Sequence, residues 1–353
     1  MSKRSLTQRA IIFQSHGDPS QVLSAKTLPD LQPPPPSSLA VRFALSPINP
    51  SDINVIQGIY PSQPHVRTSK EVGLDEYYIP GNEGLGIVEE VGSSVSEFSE
   101  GDWVIMKRSQ AGTWASAAIL DPKDVIRIPR KPNSSKLTEA HAATLTVNPP
   151  TAWGMLTKFI ELKEGDWVVQ NGANSAVGQA VIQIAKRRGL QTLNFVRNRP
   201  NFVELKEQLS SIGATQVFTY DDLSDKATKQ KIKEVTAGKE IRLGLNCVGG
   251  KETSLMATLL GKDAHLVSYG AMSKQPLSLP TSLFIFKNLT SHGYWQSRWY
   301  QDCSPQERDA MFNDILDMIE DGSVRSPLKW RIKIDGFRLV ISPRTRNLEV
   351  DWR

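Results

Sequence analysis

The segment Val168-Val-Gln-Asn-Gly-Ala-Asn-Ser-Ala-Val-Gly-Gln-Ala-Val-Ile-Gln-Ile-Ala-Lys-Arg-Arg-Gly189 has the pattern of a buried strand, a tight turn and a helix. Gly172 permits the turn, Ala176 leaves little side chain near a pyrophosphate, and Gly178 lets the helix pack closely on its strand. The first backbone N–H groups of such a helix would face the phosphates of a dinucleotide. The segment therefore predicts a dinucleotide-binding unit, although an ordinary strand-to-helix connection would have a similar sequence.

A second strand, Thr192-Leu-Asn-Phe-Val196, follows this helix and ends in two arginines. Enzymes that use NAD usually carry Asp or Glu at this position, where the carboxylate binds the ribose hydroxyls. Arginine would instead pair with a 2′-phosphate. The sequence therefore favours NADPH over NADH as the cofactor. The residues that we predict to bind it here are Asn174, Ser175, Ala176, Val177, Arg197, Asn198 and Arg199.

Length and composition restrict the class of protein. The 353 residues suit two domains. The formal net charge of +5 comes from 42 basic and 37 acidic residues spread along the chain, so we expect no nucleic-acid partner. Cys247 and Cys303 are the two cysteines, too few for a disulfide framework or a four-thiolate zinc site. No apolar run reaches the ~20 residues that span a bilayer, so we expect no membrane insertion.

The pattern of strands and helices changes along the chain. Residues 1–145 are rich in proline and glycine, with short β-like runs. A helix is predicted around Glu139 to Phe159, and strands then alternate with amphipathic helices through about Gly293. We therefore predict an α/β protein in which a doubly wound nucleotide-binding domain, 146–292, is inserted between 1–145 and 293–353.

With this order of domains, the chain resembles the medium-chain dehydrogenase/reductases. Within that superfamily it is similar to the mitochondrial 2-enoyl thioester reductases of fungi and animals, over about residues 8–337. The resemblance implies a GroES-like, β-rich catalytic domain and a Rossmann domain. The matching motifs are Ile48-Asn-Pro-Ser-Asp-Ile-Asn54, Gln57-Gly-Ile-Tyr-Pro61, Pro80-Gly-Asn-Glu-Gly84, Thr146-Val-Asn-Pro-Pro-Thr-Ala-Trp153 and Gly293-Tyr-Trp-Gln-Ser-Arg-Trp299.

The resemblance assigns roles to further residues. Tyr60 becomes the catalytic donor, although a tyrosine in this sequence alone would more often be a turn or packing residue. Asn148 is expected to contact the cofactor near the nicotinamide, and it also suits the cap of a helix that begins with proline. The remaining cofactor-binding residues that the resemblance implies are Tyr269, Gly270, Ala271, Met272, Tyr294, Trp295 and Gln296.

The resemblance also implies that the site holds no metal. Zinc members of the superfamily use Cys and His near the segments that correspond to Asn49–Asp52 and Gly81–Glu83. This chain has no cysteine in the first segment and has Asn82 where the second would carry histidine. Five scattered histidines and two cysteines provide no recognisable zinc ligand set. We expect Asp52 to cap backbone amides and Glu83 to be structural.

The implied function is NADPH-dependent reduction of trans-2-enoyl thioesters, carried by acyl carrier protein or coenzyme A, in fatty acid synthesis. A hydride would add to the β-carbon, and a neutral phenol would stabilise the thioester oxygen or protonate the α-carbon. The alternatives are an NADPH quinone oxidoreductase of the same superfamily and a catalytically impaired NADPH-binding protein. The resemblance further implies a homodimer and the mitochondrial matrix. The start of the chain has no clear presequence, so the cytoplasm is the alternative location.

The end of the chain departs from the family pattern. After residue 337 the family has an amphipathic helix and a final strand, whereas Pro343 interrupts any continuous helix here. We expect this atypical tail, from about residue 338, to lower stability or activity.

Overall fold

The fold divides into two compact units, formed by 1–147 with 326–353 and by 148–325. A computed structural model describes residues 6–128 and 136–325, together with the backbone of the strands at 330–334 and 337–341. The tail beyond residue 341, with Pro343, lies outside the described residues. The prediction that the tail lowers stability therefore stays a prediction.

The first unit is rich in short strands. Its elements, in chain order, are β1 (Leu6–Ile12), α1 (Pro19–Val22), β2 (Ser24–Leu31), β3 (Leu39–Ile48), α2 (Pro50–Ile56), β4 (Arg67–Ser69), β5 (Leu74–Tyr77), β6 (Leu85–Val91), β7 (Trp103–Met106), β8 (Ala117–Leu120), β9 (Val125–Arg127) and α3 (Glu139–Ala143).

One sheet organises this unit around β3. Along one edge of β3 runs antiparallel β6, followed by β7 and β9, and β8 also pairs with β3. Val41 and Leu39 on β3 are fully buried, together with Val104 on β7. Strands β4 and β5, which come after α2 in the chain, form a separate antiparallel pair. These contacts form the β-rich domain that the sequence predicted.

The second unit alternates strands and helices. Its elements are α4 (Asn148–Thr157), β10 (Trp167–Asn171), α5 (Ala176–Arg187), β11 (Gln191–Val196), α6 (Phe202–Ser211), β12 (Gln216–Thr219), α7 (Lys226–Val235), β13 (Ile241–Asn246), α8 (Gly250–Ala257), β14 (His265–Ser268), α9 (Thr281–Lys287), β15 (Thr290–Gly293), α10 (Gln296–Asp302) and α11 (Pro305–Asp321). Two strands of the first unit, β16 (Trp330–Ile334) and β17 (Phe337–Ile341), complete the numbering, and β17 pairs in parallel with β3.

The sheet of the second unit is parallel throughout and follows the order β12-β11-β10-β13-β14-β15. The order reverses between β10 and β13, which is the switch point where doubly wound folds bind nucleotides. All five residues of β10 are buried, as expected for a strand covered by helices on both faces. The predicted doubly wound fold is therefore confirmed.

Two details differ from the sequence expectations. The helix predicted around Glu139 to Phe159 is two helices, α3 and α4, because Pro149 and Pro150 lack the N–H that a helix interior needs and can only occupy the first turn of α4. The second unit also continues past 293. There α11 packs on α4, and Trp153 Nε1 donates to Asp314 Oδ2 at 2.6 Å.

Gly178 tests how α5 packs on the turn after β10. A Cβ at this position would lie 2.5 Å from the Ala173 carbonyl oxygen and 2.7 Å from its carbonyl carbon, both backbone atoms that cannot rotate away. We expect Gly178→Ala to lower the free energy of unfolding by about 1–3 kcal/mol, measured by urea denaturation. Gly293→Ala is the matched control, because nothing lies within 4 Å of that Cβ position. Equal stability of the two variants would contradict this packing.

Candidate active site

The predicted cofactor residues of the second unit lie mainly after four parallel strands. Residues 174–177 follow β10, 197–199 follow β11, 269–272 follow β14, and 294–296 follow β15. Parallel strands bring their carboxyl ends to one edge of the sheet, so these segments share that edge. Asn148 is the first residue of α4, which packs against α5.

The turn after β10 is held by its own hydrogen bonds. Gly172 has a φ of 61°, a left-handed conformation that glycine adopts without strain. Ser175 caps α5, and its hydroxyl oxygen accepts from the Gly178 N–H at 3.1 Å. Ala176 and Val177 occupy the first turn of α5, so their N–H groups have no intrahelical acceptor. This turn therefore fits the phosphates of a dinucleotide.

Positive charge follows directly after β11. Arg197 is exposed, and its carbonyl oxygen accepts from Arg199 Nε at 3.3 Å. Asn198 Nδ2 donates to Asp221 Oδ2 at 2.9 Å, which fixes the short segment between the arginines. The Arg197 guanidinium makes no ion pair with any residue in the described ranges, and it can receive an anion such as a 2′-phosphate.

A buried amide network joins the two strands at the switch point. Asn171 Nδ2 donates to Asn246 Oδ1 at 2.9 Å, and the Cys247 N–H donates to Asn171 Oδ1 at 2.8 Å. The Thr253 hydroxyl donates to the same Asn246 oxygen at 2.7 Å. Sequence reasoning missed this network, although amides that end otherwise apolar strands were the available signal. The network fixes the ends of β10 and β13 beneath the turns that follow them.

The loop after β14 runs beside the residues that follow β13. The Tyr269 N–H donates to Asn246 O and the Met272 N–H to Cys247 O, both at 2.9 Å. A Cβ at Gly270 would lie 3.3 Å from Cys247 Cβ, so only a small residue fits there without displacement. Met272 is 46% exposed, which leaves its side chain accessible to a ligand.

The residues after β15 form a small polar cluster. The Tyr294 hydroxyl donates to Gln296 Oε1 at 2.7 Å, and a methyl group at Gly154 would overlap that hydroxyl. Burial raises the pKa of Tyr294, so this phenol stays protonated. The buried Gln296 Nε2 has no hydrogen-bond partner among the described residues. Such an unsatisfied donor is a feature that a bound ligand can complete.

Tyr60, the predicted catalytic donor, lies in the first unit in the loop that follows α2. Its ring packs against an apolar cluster that includes Ile56 and Trp114. Its carbonyl oxygen accepts from Gln63 Nε2 at 2.8 Å, which closes the loop on itself. The ring is only partly buried, so the loop keeps an aromatic side chain at the surface of this cluster.

Two buried carboxylates join three segments of the first unit. Asp52 accepts from the N–H groups of Asn49 at 2.7 Å and Asn82 at 2.9 Å. Glu83 accepts from Asn49 Nδ2 at 2.8 Å, and from the N–H and hydroxyl of Thr146 at 3.1 and 3.2 Å. Asp52 therefore caps backbone amides as predicted. Glu83 ties the start of α2 to the segment that leads to Asn148.

Burial changes the protonation of this pair. It raises the pKa of Glu83 to about 8, although hydrogen bonds from Asn49 and Thr146 oppose the shift. It raises the pKa of Asp52 to about 7 by the same cause, again against its hydrogen bonds. Each carboxyl group therefore holds its proton near neutral pH more readily than an exposed one would.

These segments carry amides and hydroxyls at the positions that the resemblance compares with zinc ligands. In the described ranges, no group of three or more His, Cys, Asp or Glu side chains is arranged to hold a metal ion. Asn82 Nδ2 donates instead to the Ser51 hydroxyl at 3.0 Å, and Asn82 Oδ1 accepts from the Gln110 N–H at 2.9 Å. No helix in the same ranges is long and apolar enough to cross a membrane.

Comparisons with known proteins agree with this architecture. Residues 35–130 match the alcohol dehydrogenase GroES-like domain, and residues 176–313 match the family described as zinc-binding dehydrogenase. The Escherichia coli quinone oxidoreductase solved with NADPH has a TM-score of 0.72 over 95% of this chain and all of that chain, at 20% identity, which shows a shared fold. Fold and site thus define a two-domain dehydrogenase/reductase with a GroES-like and a nucleotide-binding domain.

More similar proteins are mitochondrial enoyl-[acyl-carrier-protein] reductases. The protein of Schizosaccharomyces pombe is 40% identical over 90% of this chain and 84% of its own length, and the human protein is 38% identical over 94% and 83%. The solved Etr1p/NADP/crotonyl-CoA complex has a TM-score of 0.89 at 35% identity, covering 96% of this chain and all of that chain. The chain belongs to the family of mitochondrial enoyl-[acyl-carrier-protein] reductases.

The buried carboxylate Glu83 gives a testable pH dependence. The ordinary pKa of this group is 4.5 and its folded value is about 8. Between these values the folded protein keeps a proton that the unfolded chain has released, so stability falls as pH rises. Gln cannot ionise. From pH 5.5 to 8.5, the wild-type free energy of unfolding should therefore fall by more than about 1 kcal/mol relative to that of Glu83→Gln.

Urea denaturation of both proteins at several pH values measures this difference. Glu89→Gln is the control, because Glu89 lies on the accessible face of β6 and pairs with Arg42. Its stability should change with pH in parallel with the wild type. If the stability of Glu83→Gln also changes with pH in parallel with the wild type, the buried carboxyl does not titrate in this range.

Proposed function

We propose that this chain is an NADPH-dependent reductase of trans-2-enoyl thioesters, which it converts to saturated acyl thioesters in fatty acid synthesis. The observation that carries the proposal is the likeness, along nearly the whole chain, to the Etr1p complex with NADP and crotonyl-CoA. The direct experiment follows loss of nicotinamide absorbance when the purified protein meets NADPH and a trans-2-enoyl-CoA. If the protein reduced a quinone but not the enoyl thioester, the proposal would be contradicted.

The cofactor residues proposed for NADPH are those that follow the parallel strands of the second unit. The N–H groups of Ala176 and Val177 would bind the pyrophosphate, and Arg197 and Arg199 the 2′-phosphate. We assign further contacts to Asn148, to the 269–272 loop and to the 294–296 segment. When bound, NADPH supplies the hydride that the β-carbon of the enoyl thioester accepts.

We assign hydrogen-bond and proton donation in this reaction to Tyr60. Its hydroxyl would donate a hydrogen bond to the thioester oxygen, where negative charge develops when the double bond is reduced. The same phenol can deliver the proton to the α-carbon, because tyrosine is neutral near pH 7. The partly buried ring and the closed loop around it support this role, since both restrict where the hydroxyl can point.

The alternatives have less support. Quinone oxidoreductases share the fold at 20–24% identity, which carries no statement on the reaction. The impaired NADPH-binding protein depends on a tail that lies outside the described residues. We therefore retain one function and no second candidate.

Carrier, assembly and location belong to the same proposal. The curated relatives are named for acyl carrier protein, and Etr1p has been solved with crotonyl-CoA. We propose that either carrier can deliver the substrate.

Etr1p of Candida tropicalis has also been solved as a heterodimer with Etr2p, and we propose a homodimer here. The relatives are named mitochondrial, and we propose the mitochondrial matrix as the location.

Replacing Tyr60 by phenylalanine tests the catalytic assignment. Tyr60→Phe keeps the packing of the ring and removes the hydroxyl, so enoyl reduction should fall by at least about 100-fold in kcat. The affinity for NADPH should stay unchanged. Tyr78→Phe is the matched control, because Tyr78 packs against the same cluster and stacks on Phe13 at 5.1 Å. If both variants keep full activity, Tyr60 is not the donor.

Removing the arginines after β11 tests the cofactor assignment. The Arg197→Ala/Arg199→Ala double variant should raise the KM for NADPH about tenfold or more, because each lost guanidinium removes a charge-assisted contact to the 2′-phosphate. The KM for NADH should hardly change. Arg187→Ala is the control, since that exposed side chain pairs with Asp321 at 2.9 Å. Equal losses with both cofactors would contradict recognition of the 2′-phosphate.

A further inference from the structure

Among the residues that the structure describes, Arg67 has no acidic partner. It begins β4, the strand that follows the Tyr60 loop, and lies opposite Tyr77 on β5. The residue is largely buried, yet its guanidinium makes no hydrogen bond or ion pair with any part of the chain that the structure describes. A buried charge without a partner is costly, so folded proteins keep one mainly where something else neutralises it.

The surroundings of Arg67 add positive charge. A side chain at Gly112 would begin 3.3 Å from Arg67 Nη2, so the guanidinium lies against the loop that follows β7. Burial lowers the pKa of Arg67, the facing Tyr77 opposes this shift, and the nearby charge of Arg108 lowers the pKa further. Arg108 approaches Asp124 only to 3.9 Å, between Nε and Oδ2. Two guanidinium groups therefore lie near each other with little local compensation.

The same loop carries an amide that lacks partners. Gln110 is 4% exposed, and neither its Nε2 nor its Oε1 has a hydrogen-bond partner in the described ranges. Its backbone is fixed, because the Gln110 N–H donates to Asn82 Oδ1 and its φ is 59°. Gly112, against which Arg67 lies, is two residues further along this rigid loop. The loop that contacts Arg67 thus also carries an unsatisfied amide.

Two segments of the unit connect this group to the cluster under the Tyr60 ring. The first runs from Gly112, beside Arg67, to Trp114, which belongs to the cluster under the Tyr60 ring. The second is the end of β5, where Tyr77 faces Arg67 and Tyr78 packs against that same cluster. Each segment advances about 3.3 Å per residue when extended, so a long flexible arm such as pantetheine can span from this group to Tyr60.

We propose that Arg67, assisted by Arg108 and Gln110, binds the phosphate at the end of the pantetheine arm that coenzyme A and acyl carrier protein share. The inference rests on the proposed function, because it names the part of the thioester substrate that this group holds. Guanidinium groups bind phosphate bidentately, and an amide N–H can donate to a remaining oxygen. The phosphates of NADPH are assigned to the second unit, which leaves the carrier phosphate as the anion of this reaction without a partner.

The test compares substrates with and without the phosphate. Arg67→Gln should raise the KM for crotonyl-CoA and for crotonyl-acyl carrier protein about tenfold, with kcat nearly unchanged, as expected for one lost charge-assisted pair. The KM for crotonyl-pantetheine, which lacks the phosphate, should stay at its wild-type value. Arg67→Lys keeps the charge without the planar fork, and we expect an intermediate KM.

Arg42→Gln is the matched control, because Arg42 lies on β3 of the same unit and pairs with Glu89 at 2.6 Å. This substitution should leave the KM values for all three substrates unchanged. Equal losses by Arg67→Gln on crotonyl-pantetheine would reduce Arg67 to a structural role in the β4–β5 pair and overturn the proposal. A loss confined to one carrier would also overturn it, since the contact would then be to a group that the carriers do not share.

A binding measurement separates this proposal from the proposed function. Calorimetry with 4′-phosphopantetheine and pantetheine needs no turnover. The wild type should bind 4′-phosphopantetheine more tightly than pantetheine, and Arg67→Gln should abolish this difference. If the wild type reduced no enoyl thioester but kept this difference, the proposed function would fail and the phosphate site would stand. If it reduced enoyl thioesters without any such difference, the phosphate site would fail alone.

Discussion

The first unit depends on one buried carboxylate. Glu83 is 1% exposed and accepts hydrogen bonds from Asn49 and Thr146, which belong to segments far apart in sequence. In zinc relatives a metal ion can join such segments, because its ligands come from several of them. Here hydrogen bonds do so, with Asp52 fixing the Asn49 and Asn82 amides. The Tyr60 loop leaves α2, whose start these bonds hold, so the carboxyl groups fix the helix from which the loop begins.

The second unit has a different requirement, since its backbone must come close to the phosphates of the cofactor. Gly178 allows α5 to touch the backbone of Ala173, and the amides of Asn171 and Asn246 fix the strand ends below. In the proposed assignment, backbone N–H groups rather than side chains bind the phosphates at this part of the site. In the proposed assignment, specificity for the cofactor depends on the arginines after β11.

Much of this arrangement could be predicted from the sequence. Gly172 and Gly178 with the apolar strand before them, together with the arginines after the next strand, predicted the nucleotide unit, because glycine permits that turn and that close approach. The family motifs identified the fold and the family. The assignments of Tyr60 and of the cofactor residues stay predictions. The Asn171–Asn246 network was missed, although amides at the ends of apolar strands indicated it. The Arg67 group could not be found from sequence, because it forms between segments that have no regular spacing along the chain.

Charge explains why the two units carry separate cationic groups. The net charge of +5 is small for 353 residues, and exposed charges are screened within about 10 Å at ordinary salt, so the protein as a whole attracts an anion only weakly. Binding of an anionic cofactor or carrier must therefore come from local cations that are partly removed from water. Arg67 meets this condition through burial, whereas Arg197 is exposed and needs a dianion and backbone N–H groups nearby to gain comparable strength.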